Sequence, residues 1–366
     1  MACDFIALAA PGVQKLSPYQ PGKPIEELER ELGLNDIIKL ASNENPMGCS
    51  PRVLTAVEDG LSELALYPDG NGFVLKQALA DFYRRPLAEI TLGNGSNDIL
   101  ELVARAFLKP GDEAVFSQHS FAVYPLAVQA VGATGVSVPA QRWGHDLPAM
   151  AAAISDRTRV VFIANPNNPT GTWVEERELE AFLMAVPEDV LVVLDEAYGE
   201  YVEKGYLPDG LDFLDRFPNV LVSRTFSKAY GLAALRVGYA FAHPDITNVL
   251  NRVRQPFNVN SLALRAAVAA LGDQDFVARS RAQNAAGMKQ IVEGVQALGL
   301  SHIPSRGNFV AIDLRREGLP VYEALLRKGV IVRPVANYGM PNFLRVTIGS
   351  PGENARFLAA LKAVLA

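Results

Sequence analysis

The amino-acid sequence predicts an α/β protein: a large domain with a mainly parallel sheet flanked by helices, and a smaller α+β domain. Three observations carry this prediction. A chain of 366 residues is too long for one simple core. Short apolar runs alternate with amphipathic stretches through its middle, as is typical of parallel strands joined by helices. Beyond Leu262 a long helical stretch comes first and the apolar runs follow it.

Three segments follow from this pattern. Residues 1–50 are rich in Pro and Gly, so we expect an arm with little regular structure that contributes to the small domain. Residues 51–265 form the predicted large domain, and residues 266–366 the small C-terminal domain. The large domain begins with two helical stretches and has further helices between its strands. Its predicted strands are "EITL", "EAVFS", "TGVSVP", "RVVFIAN", "VLVVLDE", "VLVSRT" and "VGYAFA".

Composition limits the classes of partner. A hydrophobic content of 49% with 20% charged residues is that of an ordinary soluble protein. The net charge of −6 argues against nucleic acid or an anionic membrane as a partner. Cys3 and Cys49 are the only cysteines, and the four histidines are scattered, so we expect neither a disulfide framework nor a metal site. No apolar run reaches membrane-spanning length, and we expect a cytoplasmic protein.

Polar clusters follow several predicted strands, at the sheet edge where α/β proteins bind ligands. In "LGNGSNDIL" two glycines open a turn and Ser96 begins a helix, an arrangement that suits a phosphate group, although an ordinary capped turn looks the same. In "ANPNNPTG", residues 164–171, a stiff turn presents amide groups, and a purely structural turn explains Asn165 or Asn167 equally well.

Two further strand ends carry ionisable groups. Asp195 ends the run "VLVVLD", and Tyr198 follows three residues later; the alternative for Asp195 is a helix cap. Lys228 lies in "SRTFSKAYGLAALRVGY" with Thr225, Ser227 and Arg236 nearby; the alternative is a lysine whose ammonium reaches solvent. Together these groups fit pyridoxal phosphate, whose aldehyde needs an amine, whose ring nitrogen needs a carboxylate and whose phosphate needs hydroxyl groups and an arginine.

The strings "NPNNPTG", "DEAY" and "SRTFSKAYGLAALRVGY", in this order, resemble those of fold-type-I pyridoxal-phosphate aminotransferases. More narrowly, "LSPYQPGKP", "LASNENPMG", "LYPDG" and "LRVTIG" are similar to the histidinol-phosphate aminotransferase family. The resemblance covers essentially the whole chain. It implies the fold of the type I pyridoxal-phosphate-dependent transferases and pyridoxal 5′-phosphate as the cofactor.

The resemblance also implies catalytic roles. Lys228 would form a Schiff base with the cofactor. Once substrate has released this lysine, its amine would move a proton between the substrate Cα and the cofactor. Asp195 would pair with the ring nitrogen, and Asn168 and Tyr198 would hydrogen-bond the phenolic oxygen of the ring. The phosphate would be held by a larger set, namely Gly95, Ser96, Asn97, Thr225, Ser227 and Arg236.

Two aromatic residues complete the implied cofactor site. Phe121 would stack on the ring, although relatives often have tyrosine at this position. Tyr67, in "LYPDG", would reach the phosphate of the cofactor in the neighbouring subunit. The resemblance therefore implies a homodimer with shared active sites.

For substrate, the resemblance points to Tyr19, Arg333 and Arg345. Arg345 corresponds to the arginine that grips the α-carboxylate in this fold type, and it would hold the phosphate of histidinol phosphate instead. For Arg333 the alternative is a surface ion pair. Asn308, in "RGNFV", either lines this region or holds a structural turn.

The implied reaction converts L-histidinol phosphate and 2-oxoglutarate into imidazole acetol phosphate and L-glutamate, a step of histidine biosynthesis. The sequence leaves open an aromatic amino-acid aminotransferase, and also a threonine-phosphate decarboxylase, which needs no oxo-acid acceptor. A pyridoxal-phosphate-binding regulator would carry a basic or DNA-binding segment, and none is visible. A dinucleotide-binding dehydrogenase is disfavoured because "GNGSND" lacks the third glycine of that motif.

Overall fold

The computed structural model describes residues 3–19 and 21–366, so residues 1, 2 and 20 of the predicted arm lie outside the described residues. The helices are α1 (Phe5–Leu8), α2 (Ile25–Leu32), α3 (Pro51–Gly60), α4 (Phe73–Tyr83), α5 (Ser96–Phe107), α6 (Val123–Ala130), α7 (Leu147–Ala152), α8 (Glu176–Ala185), α9 (Pro244–Val253), α10 (Ser261–Leu271), α11 (Gln274–Ala297), α12 (Gly318–Leu326) and α13 (Pro351–Leu365). The strands are β1 (Ile38–Lys39), β2 (Ile90–Gly93), β3 (Glu113–Ser117), β4 (Thr134–Val138), β5 (Thr158–Ala164), β6 (Leu191–Asp195), β7 (Val220–Thr225), β8 (Gly238–Ala242), β9 (Ser301–Ile303), β10 (Phe309–Asp313), β11 (Val330–Ile331), β12 (Arg333–Pro334) and β13 (Phe343–Thr347).

The largest sheet has seven strands in the order β2-β8-β7-β6-β5-β3-β4, and all seven coincide with predicted strands. Strand β8 runs antiparallel to β2 and β7, whereas the other neighbouring pairs are parallel. The predicted mainly parallel sheet is therefore confirmed. Because β8 is reversed, its first residue, Gly238, pairs with the last residues of β2 and β7, Gly93 and Thr225. The start of β8 thus shares an edge with the carboxyl ends of the parallel strands.

The core lies on both faces of this sheet. In β5, Val161 and Ile163 belong to one buried cluster, and Val160 and Phe162 belong to the other. Successive side chains of a strand point to opposite faces, so an uninterrupted apolar run is what a strand covered by helices on both sides requires. Within the described residues, none of the helices is long and apolar enough to span a lipid bilayer.

A second, antiparallel sheet has the order β12-β13-β10-β9. The segment that precedes α3 joins this part of the protein, because β1 pairs with β11 and Leu40 is buried in the same cluster as Ile312 and Val346. Residue 265, the expected end of the large domain, lies inside α10. The alanines on the buried face of that helix belong to a core cluster of the large sheet.

The prediction of little regular structure in residues 1–50 is wrong for α2. The segment "IEELEREL" places Ile25, Leu28 and Leu32 at helical spacing, and Leu28 is buried. Gly33 ends the helix in the left-handed conformation, with φ of 66°. The prolines and glycines that flank this helix hid its pattern in the sequence.

Candidate active site

A cavity of about 250 Å³ lies at the carboxyl edge of the seven-stranded sheet. Residues at the ends of several strands, in the arm and in the antiparallel sheet line it. Most of the predicted site residues line it: Tyr19, Ser96, Asn97, Phe121, Asn168, Asp195, Tyr198, Thr225, Ser227, Lys228, Arg236, Arg333 and Arg345. Gly95 directly precedes Ser96, whereas Tyr67 and Asn308 are not among the lining residues.

Lys228 lies three residues beyond β7 and donates from Nζ to the backbone oxygen of Ser42 at 3.0 Å. Burial is the largest cause that lowers the pKa of this amine to about 8; the positive charges of Arg345 and Arg236 contribute to the lowering, and the negative charge of Glu44 opposes it. At neutral pH a larger fraction of Lys228 is therefore uncharged than of an ordinary lysine. An uncharged amine is the form that attacks an aldehyde.

Asp195 ends β6 and is only 5% exposed. Its Oδ2 accepts a hydrogen bond from the Tyr124 hydroxyl at 2.8 Å, whereas Oδ1 is buried and has no hydrogen-bond partner among the residues that the structure describes. Burial raises the pKa of this carboxyl group to about 6, although the Tyr124 hydroxyl and the Ala197 amide oppose the rise. A buried carboxylate with one unpaired oxygen needs a cationic or protonated partner in the cavity.

Tyr198 and Asn168 lie between the two sheets and are tied to other parts of the chain. The Tyr198 hydroxyl accepts from Asn43 Nδ2 at 2.9 Å, and burial raises its pKa to about 12. Asn168 Oδ1 accepts from the Arg345 guanidinium at 2.5 Å. Arg345 also donates to the backbone oxygen of Ala41 at 2.6 Å, so the arm and β13 meet at this point.

One end of the cavity has the character of an anion site. Helix α5 begins at Ser96, directly after Gly95, whose φ is 82°. The Arg236 guanidinium donates to Ser227 Oγ at 3.2 Å, and a Cβ atom at Gly95 would overlap that guanidinium. Thr225 Oγ1 accepts from the Ser227 amide at 3.1 Å. Hydroxyl groups, a helix N-terminus and an arginine together suit a phosphate group.

The opposite wall is formed by the antiparallel sheet and the arm. Arg333 in β12 and Arg345 in β13 are directly paired across the two strands, and both are more than 90% buried. The Arg333 guanidinium lies 5.8 Å from the centre of the Tyr19 ring. Of the described residues that line the cavity, the charged ones are four cations and one anion, Asp195. The cavity therefore favours anionic ligands.

Three predicted residues lie at other places in the molecule or at the cavity margin. Tyr67 is 83% exposed and stacks on Phe257, with ring centres 4.8 Å apart. Asn308 is buried, and its side-chain amide donates to the backbone oxygen of Asn43 at 3.0 Å. It therefore supports the arm segment without lining the cavity. Phe121 lines the cavity and meets the Tyr124 ring edge to face at 5.9 Å.

Sequence reasoning missed two residues that support the site, Asn43 and Tyr124. Each reaches a predicted residue through one hydrogen bond, Asn43 to Tyr198 and Tyr124 to Asp195. Asn43 stands in the quoted string "LASNENPMG", which supported the resemblance but suggested no role. Tyr124 follows Phe121 by three residues, and only the fold shows which acid it contacts.

The residues present fit pyridoxal phosphate on structural grounds. The unpaired buried Oδ1 of Asp195 provides an acceptor for a protonated ring nitrogen. Lys228 provides a weakly basic amine, and Ser96, Ser227 and Arg236 provide the phosphate end. All of these groups line one cavity.

The family model for aminotransferases of class I and II matches residues 35–361. The histidinol-phosphate aminotransferase 2 of Pseudomonas fluorescens is 67% identical over the full length of both chains. The chain belongs to the histidinol-phosphate aminotransferase family of class I and II aminotransferases. The corresponding protein of Pseudomonas aeruginosa is also 67% identical, over 99% of each chain.

Solved structures agree with this assignment. The histidinol-phosphate aminotransferase of Sinorhizobium meliloti, solved in complex with pyridoxal-5′-phosphate, superposes with a TM-score of 0.90 at 32% identity and covers 97% of this chain and 96% of its own. A single mutant of the aspartate aminotransferase of Thermus thermophilus shares the fold, with a TM-score of 0.85 at 23% identity over 97% and 99% of the two chains. The predicted family, fold and enzyme class are confirmed.

Proposed function

We propose that this aminotransferase moves the amino group of L-histidinol phosphate to 2-oxoglutarate, in histidine biosynthesis. The observation that carries the proposal is the pair of buried arginines, Arg333 and Arg345, in the same cavity as Lys228 and Asp195. A phosphate ester bears close to two negative charges at neutral pH, and glutamate has two carboxylates. Two guanidinium groups match both the donor, histidinol phosphate, and the product glutamate. An aromatic amino acid has one carboxylate and would use only one of them.

The cofactor proposed for this cavity is pyridoxal 5′-phosphate, which, when bound, supplies an electron sink conjugated to the carbon that loses its proton. Asp195 would hold a proton on the ring nitrogen, because a buried carboxylate is stabilised by a protonated partner. Lys228 would supply the amine that holds the cofactor and would move a proton at Nζ. Its pKa of about 8 lets it accept and release that proton near neutral pH.

The remaining residues bind and orient. Tyr198 and Asn168 hydrogen-bond the ring oxygen, and Phe121 covers the ring. The phosphate is held by Gly95, Ser96, Asn97, Thr225, Ser227 and Arg236. For the substrate, Arg333 and Arg345 bind its anionic group and Tyr19 covers the mouth of the cavity, where it is 49% exposed. Asn308 contributes indirectly, through the arm segment that it holds.

We further propose a homodimer with shared active sites. Tyr67, outside the cavity of its own subunit, lies in a surface with several exposed apolar side chains, including Leu64, Leu66, Phe73 and Val74. Exposed apolar patches of this kind mark protein interfaces. Contact between two copies through this surface would bring Tyr67 to the phosphate of the partner's cofactor.

The domain division and the compartment are proposals as well. The arm within residues 1–50 contributes to the small domain, through β1 and Leu40, and α10 belongs with the large domain. Two free cysteines suit the reducing cytoplasm.

Steady-state kinetics test the function. With 2-oxoglutarate as acceptor, we expect kcat/KM for L-histidinol phosphate to exceed that for L-phenylalanine. The substitution R333Q is expected to lower kcat/KM for the phosphate substrate by about tenfold or more, and that for phenylalanine by much less. Equal losses for the two donors would favour the aromatic aminotransferase. Release of carbon dioxide from threonine phosphate without an oxo acid would favour the decarboxylase.

A further inference from the structure

The Tyr198 hydroxyl is part of a hydrogen-bond chain whose directions follow from the donors and acceptors present. The chain starts at Asn43, a buried arm residue in the left-handed conformation, with φ of 56°. The backbone N–H of Asn43 donates to Thr347 Oγ1 at 2.9 Å. Because this oxygen acts as the acceptor there, the single hydrogen of the threonine hydroxyl is free to donate to Asn43 Oδ1, at 3.2 Å.

This second bond fixes the side-chain amide of Asn43. With Oδ1 turned to Thr347, the amide nitrogen Nδ2 faces the Tyr198 hydroxyl at 2.9 Å. An amide nitrogen donates hydrogen bonds and does not accept them, so the oxygen of Tyr198 is the acceptor. The hydrogen of the Tyr198 hydroxyl must then point elsewhere.

The cavity is where that hydrogen can find an acceptor. Tyr198 lines the cavity, and within residues 3–19 and 21–366 Asn43 is the only hydrogen-bond partner of its hydroxyl. The backbone of Asn43 is also fixed, because the Asn308 side-chain amide donates to its carbonyl oxygen at 3.0 Å. Arg345 and Asp195 both act on the pKa of Tyr198, and Lys228 Nζ lies 5.9 Å from the centre of the Tyr198 ring.

We propose that Asn43, locked by Thr347, is a positioning residue that makes the Tyr198 hydroxyl a hydrogen-bond donor to the ring oxygen of the bound cofactor. The inference rests on the proposed function. Donation to this oxygen withdraws negative charge from it, and the proton that titrates on the bound cofactor is then held less tightly. Loss of the donation raises the pH at which the visible absorption band of the holoenzyme changes.

The test is a double-mutant cycle on the reconstituted holoenzyme, with the pH midpoint of the visible band as the readout. The substitution N43D replaces the donor with a carboxylate that only accepts, so it captures the hydrogen of Tyr198. We expect N43D to raise the midpoint by about one pH unit or more in the wild-type background. In the Tyr198→Phe background only the added charge of N43D remains, and the shift should be clearly smaller.

Equal shifts in the two backgrounds would overturn the inference, because the effect would then be that of charge alone. If N43D does not fold, Thr347→Val and Thr347→Ser replace it. The valine variant removes the lock and should raise the midpoint, whereas the serine variant keeps the hydroxyl and should leave the midpoint unchanged. Equal midpoints for these two variants would also overturn the inference.

Failure of the inference and failure of the proposed function look different. If the wild-type protein transaminates normally and N43D shifts the midpoint equally in both backgrounds, only the proposed role of Asn43 is refuted. If the wild-type protein develops no visible band with pyridoxal phosphate and converts no donor, the proposed function is refuted, and this inference is refuted with it.

Discussion

The substitution Asp195→Asn is expected to stabilise the apoprotein while it destroys turnover. The carboxyl group of Asp195 has a pKa of about 6 in the folded protein, against an ordinary value of 3.8, because it is buried. A difference of about two pKa units corresponds to about 3 kcal/mol. That free energy is the cost of keeping the carboxylate ionised in the folded apoprotein.

The sign of the pH dependence of stability is set by whether the folded or the unfolded protein loses the Asp195 proton at the lower pH. Below pH 3.8 the carboxyl group is protonated in the folded and the unfolded protein, so it contributes no difference. As the pH rises from there to about 6, the unfolded chain loses the proton first, and the free energy of unfolding of wild-type apoprotein falls. Above pH 6 the full penalty remains. The asparagine variant has no ionisation at this site and therefore no such loss.

Thermal unfolding of the two apoproteins measures this difference. We expect the variant to gain a few degrees in Tm relative to wild type between acidic and neutral pH. Pyridoxal phosphate should reverse the order at neutral pH, since its protonated ring nitrogen pairs only with the wild-type carboxylate. A Tm difference that stays constant with pH would refute the reasoning, because the buried charge would then not be its source.

Three more outcomes are expected. Lys228→Ala should abolish the lysine-dependent visible band of the bound cofactor and turnover; an unchanged band would contradict the assignment. Arg345→Lys cannot reach both Asn168 Oδ1 and the Ala41 oxygen, so KM for anionic donors should rise by about tenfold or more, measured in steady state. Gly95→Ala should weaken pyridoxal-phosphate binding in a titration, since its Cβ overlaps the Arg236 guanidinium at a left-handed φ; unaltered affinity would remove Gly95 from the phosphate site.

The sequence predicts the large sheet well because its pattern is local. The strands of that sheet are short runs rich in apolar residues, and four of the seven, β2, β3, β6 and β7, end in glycine or a polar residue, among them Asp195 and Thr225. Strand direction is not local. The run "VGYAFA" is a short, largely apolar run like the parallel strands of the sheet, so nothing in it shows that β8 is reversed between β2 and β7.

The residues of the candidate site also divide into those that the local sequence indicates and those that only the fold shows. Lys228 and Arg236 were predicted because a charge beside a buried strand is conspicuous along the chain. Asn43 and Tyr124 were not, because each is an ordinary polar residue until the fold places it against Tyr198 or Asp195. For Asn308 the sequence left a choice between lining the cavity and holding a turn, and its buried amide instead braces the arm behind the cavity.

The closure of the cavity by the arm has a consequence for the order of events during synthesis. Arg345 binds the Ala41 oxygen, and Thr347 binds the Asn43 amide, across 304 residues of chain in each case. A ribosome releases the arm long before β13. The nascent chain therefore carries its arm without these partners while the intervening residues are made, and the cavity closes only when β13 has emerged.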